Sequence, residues 1–408
     1  MAVDPPPGDN VPAPDPYPAL FRQQILRSIR YVLTRLQGAS SAIPDDELKA
    51  MALHVLDYAL QMAVDQPEAW SLSAPALTTL APGMEQAGHR ADWADFLARG
   101  LSAALAQGDR ANAGTLHFHL GTLHQLQGQM DVAEAHFVDA ASAFGEMAQP
   151  RDRARAINRQ AYVARLVGRN QTSADLVAQA LDLLAEGDAE RGYSAFVLGC
   201  NAYDGEAWKE AAAYYQQALD LWREHGETRM VAWNLTNLGT ALRQMGAREA
   251  ATERFEQALA LFEQIEDPTN QAITRMNLGT VYLQTDRLAQ AAQAYVEAEQ
   301  VFRRMGDDLQ LARVYNNLGL VYYAQQAWEQ AEAALNSAIQ TWIKIRDVPN
   351  EVNTLDTLAE VFRDSGRPEQ ARSTWLHALE RLSTTPNAAA YPGLHRLVTK
   401  NLADLESE

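Results

Sequence analysis

The chain has 408 residues, more than one compact domain usually holds, so several domains or a repeat array are expected. Its formal charge is −18, from 34 basic and 52 acidic residues, which argues against a nucleic-acid partner and its net basic footprint. Cys200 is the sole cysteine, which excludes an internal disulfide and any multi-cysteine metal cage.

Residues 1–18, MAVDPPPGDNVPAPDPYP, are rich in proline and aspartate and hold little to bury, so a disordered acidic tail is expected there. This start has neither a basic stretch nor an apolar run, and no signal peptide is read from it. No run of about 18 apolar residues occurs anywhere, so no membrane span or membrane partner is expected, and the expected location is cytoplasmic. Residues 19–80 read as a helical region. Leu20, Ile25, Leu26, Ile29, Val32, Leu33 and Leu36 fall at helical spacing, and a second helix follows Asp45, Asp46 and Glu47, acidic residues suited to a helix start.

From residue 81 to 384 an internal repeat dominates. Small residues recur at Gly121, Ala161, Gly199, Gly239, Gly279, Gly319 and Ala359, spaced 40, 38, 40, 40, 40 and 40 apart. Twelve residues after each of these anchors stands another small residue, Ala or Ser173, and nineteen after each stands alanine. Sixteen after come Phe137, Val177, Tyr215, Phe255, Tyr295, Leu335 and Trp375. Such a register describes a helix–turn–helix unit in which small residues let two helices approach and the sixteenth side chain fills the gap. The turn is expected seven residues past the anchor, where Gly128, Gly168, Gly246 and Gly366 stand. Asp267-Pro268 marks a helix start, and Ala81, Gly88 and Leu97 fit a weaker earlier copy. Residues 385–408 carry Leu394, Leu397, Val398 and Leu402, an amphipathic helix expected to cap the last repeat.

The segments NLGTALRQMG…AATERFEQAL, NLGTVYLQTD…AAQAYVEAE and NLGLVYYAQQ…AEAALNSAI resemble tetratricopeptide repeats. The repeat is longer than usual, similar to those of kinesin light chains and of the sensor arrays of bacterial STAND signalling ATPases. Leu235, Arg275, Tyr315 and Leu355 stand where that family often has tryptophan. The resemblance implies an all-α, right-handed superhelical solenoid of about seven to eight repeats with a C-terminal capping helix.

No phosphate-binding loop, dinucleotide fingerprint or HExxH occurs, so no enzyme, no catalytic residue and no cofactor are expected. His117, His119 and His124 cluster, and the first and last share a helix face. No cysteine or carboxylate stands at a matching ligand spacing, and both positions align with core positions of the other repeats, so helix packing is preferred and no metal is expected. Cys200, one residue past an anchor, reads as a small semi-buried side chain.

A helical wheel at 100° per residue puts positions −4, −1, 0 and +3 from each anchor on the core side. Positions −6, −3, −2, +1, +4 and +5 lie opposite, and in the resembling family that side lines the concave groove. Asn237, Asn277 and Asn317 stand at −2 in successive repeats, with Asn316 beside them and Asn158 in an earlier one. Their amides suit the backbone of an extended peptide, as the resemblance also implies, or they satisfy a neighbouring repeat. Arg155, Arg159, Arg165, Arg243, Arg313 and Arg363 lie on the same side and favour an acidic or C-terminal carboxylate ligand, unless neighbouring carboxylates pair with them. Tyr193, Phe196, Tyr203 and Trp233 suggest an aromatic pocket in the middle of the array, and Tyr323 adds a further groove position. The function expected is a non-catalytic protein-interaction scaffold or adaptor gripping a peptide or partner segment. The alternative is a ligand-responsive regulator whose superhelix changes shape, and the acidic tail is a candidate occupant of the groove.

Overall fold

Each anchor residue and the side chain sixteen positions later form one contact, repeated along the chain. The computed structural model, which describes residues 17–37, 46–86, 90–384 and 391–407, shows why the anchor must be small. A Cβ added to Gly121 would lie 2.8 Å from the Phe137 ring, one on Gly199 would lie 2.6 Å from Tyr215, and one on Gly239 would lie 2.7 Å from Phe255. The corresponding distances are 3.0 Å for Gly279 to Tyr295 and 2.5 Å for Gly319 to Leu335. Where the anchor is alanine at 161, the partner shrinks to Val177. At Ala359 the partner is Trp375, whose indole Nε1–H donates at 2.7 Å to Asp356, one turn before Ala359 on the facing helix. All seven side chains at +12, all seven at +16 and all seven alanines at +19 are buried.

The described residues form nineteen α-helices and no strand. They divide into two units, Met1–Glu186 and Gly187–Glu408. In the first unit, α1 (Tyr17–Gln37), α2 (Asp46–Ala63), α3 (Pro67–Gln86) and α4 (Arg90–Ala106) lead into two helix pairs. These are α5 (Arg110–Leu126) with α6 (Met130–Glu146) and α7 (Pro150–Leu166) with α8 (Asn170–Leu183). Ile25, Ile29, Val32, Leu36, Leu56, Trp70 and Trp93 share one core cluster, while Leu20, expected on the apolar face, is exposed. Ala81 and Leu97 of the early copy are buried, and Gly88 lies outside the described residues.

The second unit holds five helix pairs. They are α9 (Glu190–Asp204) with α10 (Trp208–Glu224), α11 (Thr228–Gln244) with α12 (Arg248–Gln264), and α13 (Pro268–Gln284) with α14 (Leu288–Met305). Then come α15 (Asp308–Ala324) with α16 (Trp328–Ile345) and α17 (Val348–Asp364) with α18 (Pro368–Ser383). A last helix, α19 (Pro392–Ser407), packs on α17 and α18. It buries Val398, half-buries Leu394 and Leu402, and sends the Asn401 amide to Asp356 at 2.9 Å. Leu397, expected on its apolar face, is exposed.

Both turns of the repeat pass through a left-handed residue. Gly128, Gly168, Gly246 and Gly366 adopt φ of 78°, 78°, 79° and 80°, and Glu206, Asp286 and Gln326 take the same role without the glycine. Aspartates begin several first helices: Asp109, Asp267, Asp307 and Asp347 each accept a hydrogen bond from the backbone N–H three residues on. Such caps satisfy donors a helix start leaves open. Asp267 does so ahead of Pro268, as its sequence signature predicts. No helix among the described residues is long and apolar enough to cross a membrane.

Candidate functional site

The first helices of the last repeats, α13, α15 and α17, with Trp342 of α16, line an open cavity of about 280 Å³. Its wall brings together Asn277, Asn316, Asn317 and Arg313, four of the residues singled out from sequence. Asn350, Asn353, Thr280 and Thr354 add polar groups, and Met276 and Trp342 supply the apolar part. The 40-residue period causes this convergence, because the same helix face recurs in each repeat and stacks the −2 and −6 positions side by side.

Asn277, Asn317 and Asn353 make no side-chain hydrogen bond among the described residues, and the exposed Arg313 guanidinium has no ion pair among them. Their donors and acceptors are therefore available to a ligand. Asn316 is engaged on one side: its Oδ1 lies 3.0 Å from Thr354 Oγ1 on the next first helix, a hydroxyl that also donates to the Asn350 carbonyl at 2.8 Å. Thr354 Oγ1 in turn accepts the Trp342 indole N–H at 3.1 Å. The −3 position is thus a joint between neighbouring first helices rather than open groove. The same joint occurs as Thr236 to Thr274, whose hydroxyls are 3.0 Å apart, and its counterparts at 276 and 314 are the buried Met276 and Val314.

Other expected groove residues stand elsewhere. Asn237 donates to the Trp233 carbonyl of its own helix at 2.9 Å. Asn158, at −3 in α7, is fully buried, consistent with the joint role of that position. Arg165 lies over the Tyr162 ring, 5.4 Å from its centroid. Arg243 is half-buried. Arg363 pairs with Asp364 at 2.8 Å, and Tyr323 donates its hydroxyl to the same carboxylate. That end of the face is acidic: burial, then Asp356 and Asp364, raises the Glu360 carboxyl above its ordinary range, against the pull of Arg363.

An open aromatic pocket is not what α9 offers. Tyr193 and Phe196 are 2% and 1% exposed. The Phe196 ring packs against Trp233 at 4.1 Å between centroids, and against Tyr193 at 5.7 Å and Tyr215 at 6.0 Å. These rings make core, because an apolar face on a first helix closes against its neighbours before any ligand reaches it. Tyr203 stays half-buried, its ring 4.7 Å from Trp208 and its hydroxyl accepting from Gln244. Cys200 is buried, with its sulfur 3.5 Å from the Tyr215 hydroxyl.

Sequence reasoning did not single out Asn353 or Trp342. Asn353 occupies −6, in register with Arg313, so a ladder drawn at −6 as well as −2 finds it. Trp342 belongs to a second helix and has no signal on a first-helix wheel.

The family model for the tetratricopeptide repeat matches residues 198–264, 228–304 and 310–384. A search of curated protein sequences finds no match. Among solved structures, the fold is similar to a Rap protein complexed with competence and sporulation factor, at 16% identity and TM-score 0.60, over 95% of this chain and 100% of that one. It is similar to a Rap conjugation gene regulator in complex with a Phr peptide, at 16% identity and TM-score 0.53, over 85% and 98% of the two chains. It also matches the tetratricopeptide-repeat STAND protein of Pyrococcus horikoshii, at 14% identity and TM-score 0.58, over 87% of this chain and 55% of that one. The second unit carries tetratricopeptide repeats, and the fold of the helical array is similar to that of the STAND repeat sensor.

Proposed function

We propose that the second unit is a non-catalytic peptide-binding scaffold, gripping an extended segment of a partner protein in the cavity between α13, α15 and α17. The observation that carries this reading is the convergence of three uncommitted amides, Asn277, Asn317 and Asn353, around the unpaired Arg313. An amide offers one acceptor and two donors, which matches the alternating groups of a peptide backbone. Arg313 favours a carboxylate, from an acidic side chain or a C-terminus. Two structural neighbours hold a named peptide or factor, which supports the same class of ligand.

Selection of peptides from a random library on the full chain, followed by fluorescence anisotropy, tests this. Each Asn→Ala change at 277, 317 or 353 is expected to remove about 1 kcal/mol, roughly fivefold in affinity. Arg313→Ala removes about 1.5–3 kcal/mol from carboxylate-bearing peptides, and amidation of the peptide terminus mimics the loss if a C-terminus is bound. Selected peptides that bind all four variants as well as the parent chain refute the assignment.

A regulatory use of the same cavity has one observation in its favour. The cavity touches three successive first helices, of which two are joined at the −3 position by the Asn316–Thr354 bond. A ligand bridging all three changes their spacing, and X-ray scattering with and without the selected peptide separates a responsive array from a rigid one. Self-occupancy by the acidic tail, residues 1–18, rests on residues 1–16, which lie outside the described residues, since Tyr17 and Pro18 open α1. Deleting the tail tests it, since unchanged peptide affinity removes the idea.

A further inference from the structure

We propose that His117, His136 and Asp139 bind a divalent transition-metal cation between α5 and α6. His117 comes from α5, and His136 and Asp139 come from α6 at i and i+3, so the helical hairpin presents three donor groups from two directions. The two Nδ1 atoms are 3.0 Å apart, and Asp139 Oδ2 is 3.6 Å from His117 Nδ1. One ligand atom from each of the three residues lies within 4.8 Å of the other two. Metal–nitrogen bonds of about 2.0–2.1 Å in a tetrahedral site place neighbouring donors roughly 3.3 Å apart. The histidine pair is near that spacing already, and the Asp139 carboxylate is 59% exposed, with room to swing inward.

Three features make the arrangement more than a chance meeting of polar groups. Both imidazoles are half-buried on packed helices, so their positions are fixed by the fold. His124 stacks parallel to His136, with ring centroids 5.4 Å apart, and its own Nδ1 is bonded to Gln129 Oε1 at 2.6 Å. It packs on the His136 ring but lies outside the group of three whose ligand atoms converge. His117 and Asp139 also border an open cavity of about 560 Å³, which gives an ion a route in and leaves space for water at the remaining coordination positions. Two imidazoles and one carboxylate form a nitrogen–oxygen set suited to zinc, cobalt or nickel, and poorly suited to calcium or magnesium. The competing arrangement is a direct hydrogen bond between the two imidazoles with no ion present.

Full-length chain stripped with a chelator and titrated with Zn²⁺ by calorimetry decides between them. One saturable site per chain is expected, and His136→Asn and Asp139→Asn should each weaken it by about tenfold or more. His225→Asn, an exposed histidine of the other unit, should leave it unchanged. Co²⁺ at the same site should give visible absorption bands that Zn²⁺ abolishes and that His136→Asn lacks. Asp139 is exposed, so its variant keeps the test valid even if the histidine variant unfolds. Equal Zn²⁺ binding by the parent chain and the Asp139→Asn variant, or no saturable binding by the parent chain, overturns the proposal.

Discussion

Gly239→Ala tests the contact on which every repeat depends. The added Cβ would lie 2.7, 2.9 and 3.0 Å from three atoms of the Phe255 ring. Phe255 is fully buried, so its ring has no open space into which to withdraw. Overpacking of this kind costs about 1–3 kcal/mol, while exchanging glycine for alanine within a helix returns about 1 kcal/mol. The net loss expected is about 0–2 kcal/mol, a range that a single variant does not resolve. The decisive measurement is a double-mutant cycle with Phe255→Val, which copies the Ala161/Val177 pair found in α7 and α8. In the Phe255→Val background the clash disappears, and Gly239→Ala should stabilise by about 1 kcal/mol. The two substitutions should then be coupled by about 1–3 kcal/mol. Urea unfolding followed by circular dichroism gives the totals, and hydrogen exchange over α11 and α12 shows that the effect is local. Effects that add to within about 0.5 kcal/mol would falsify the packing account.

Glu351 is 0% exposed and accepts two bonds from Arg381, at 2.6 and 2.8 Å, so Arg381→Met should cost about 3–5 kcal/mol by leaving a buried carboxylate, whereas Glu351→Leu/Arg381→Met should cost clearly less. Thermal melts of both variants check the order. Burial and then Asp356 and Asp364 raise the Glu360 carboxyl above 4.5 in the folded chain, so the fold binds that proton more tightly than the unfolded chain does, and this contribution to stability is lost as pH rises through the folded value. Glu360→Gln should therefore melt higher than the parent chain at neutral pH, with the gap closing as pH falls below about 4.5; a gap that widens on acidification contradicts the sign. Gln326 holds a left-handed turn at φ 57°, a conformation that glycine adopts without the Cβ penalty, so Gln326→Gly should stabilise the unit by about 0.5–1 kcal/mol in urea unfolding, net of the entropy glycine loses.

What the sequence made legible was periodic. A glycine at 239 with a phenylalanine at 255 can be read without coordinates, because both ends of the contact recur in every repeat at one offset. Position −3 defeats the same method. A wheel assigns it by angle on an isolated helix, but Asn316 and Thr236 sit where the next repeat's first helix passes, and their side chains bond to it. The aromatic cluster at Tyr193 and Phe196 fails for a related reason, since a wheel separates two sides of one helix and knows nothing of the rings packed against it. His136 and Asp139 were hidden more thoroughly, 19 and 22 residues from His117 on a different helix. Ligand spacing read along a sequence does not register partners that only the packing of two helices brings together. The residues that pack one repeat can thus be read from the register, whereas those proposed for a ligand or a metal depend on which helices the fold sets side by side. The repeat length itself supplies that missing relation: at a 40-residue period Arg313 and Asn353 share the −6 position on adjacent first helices, which is why both reach one cavity.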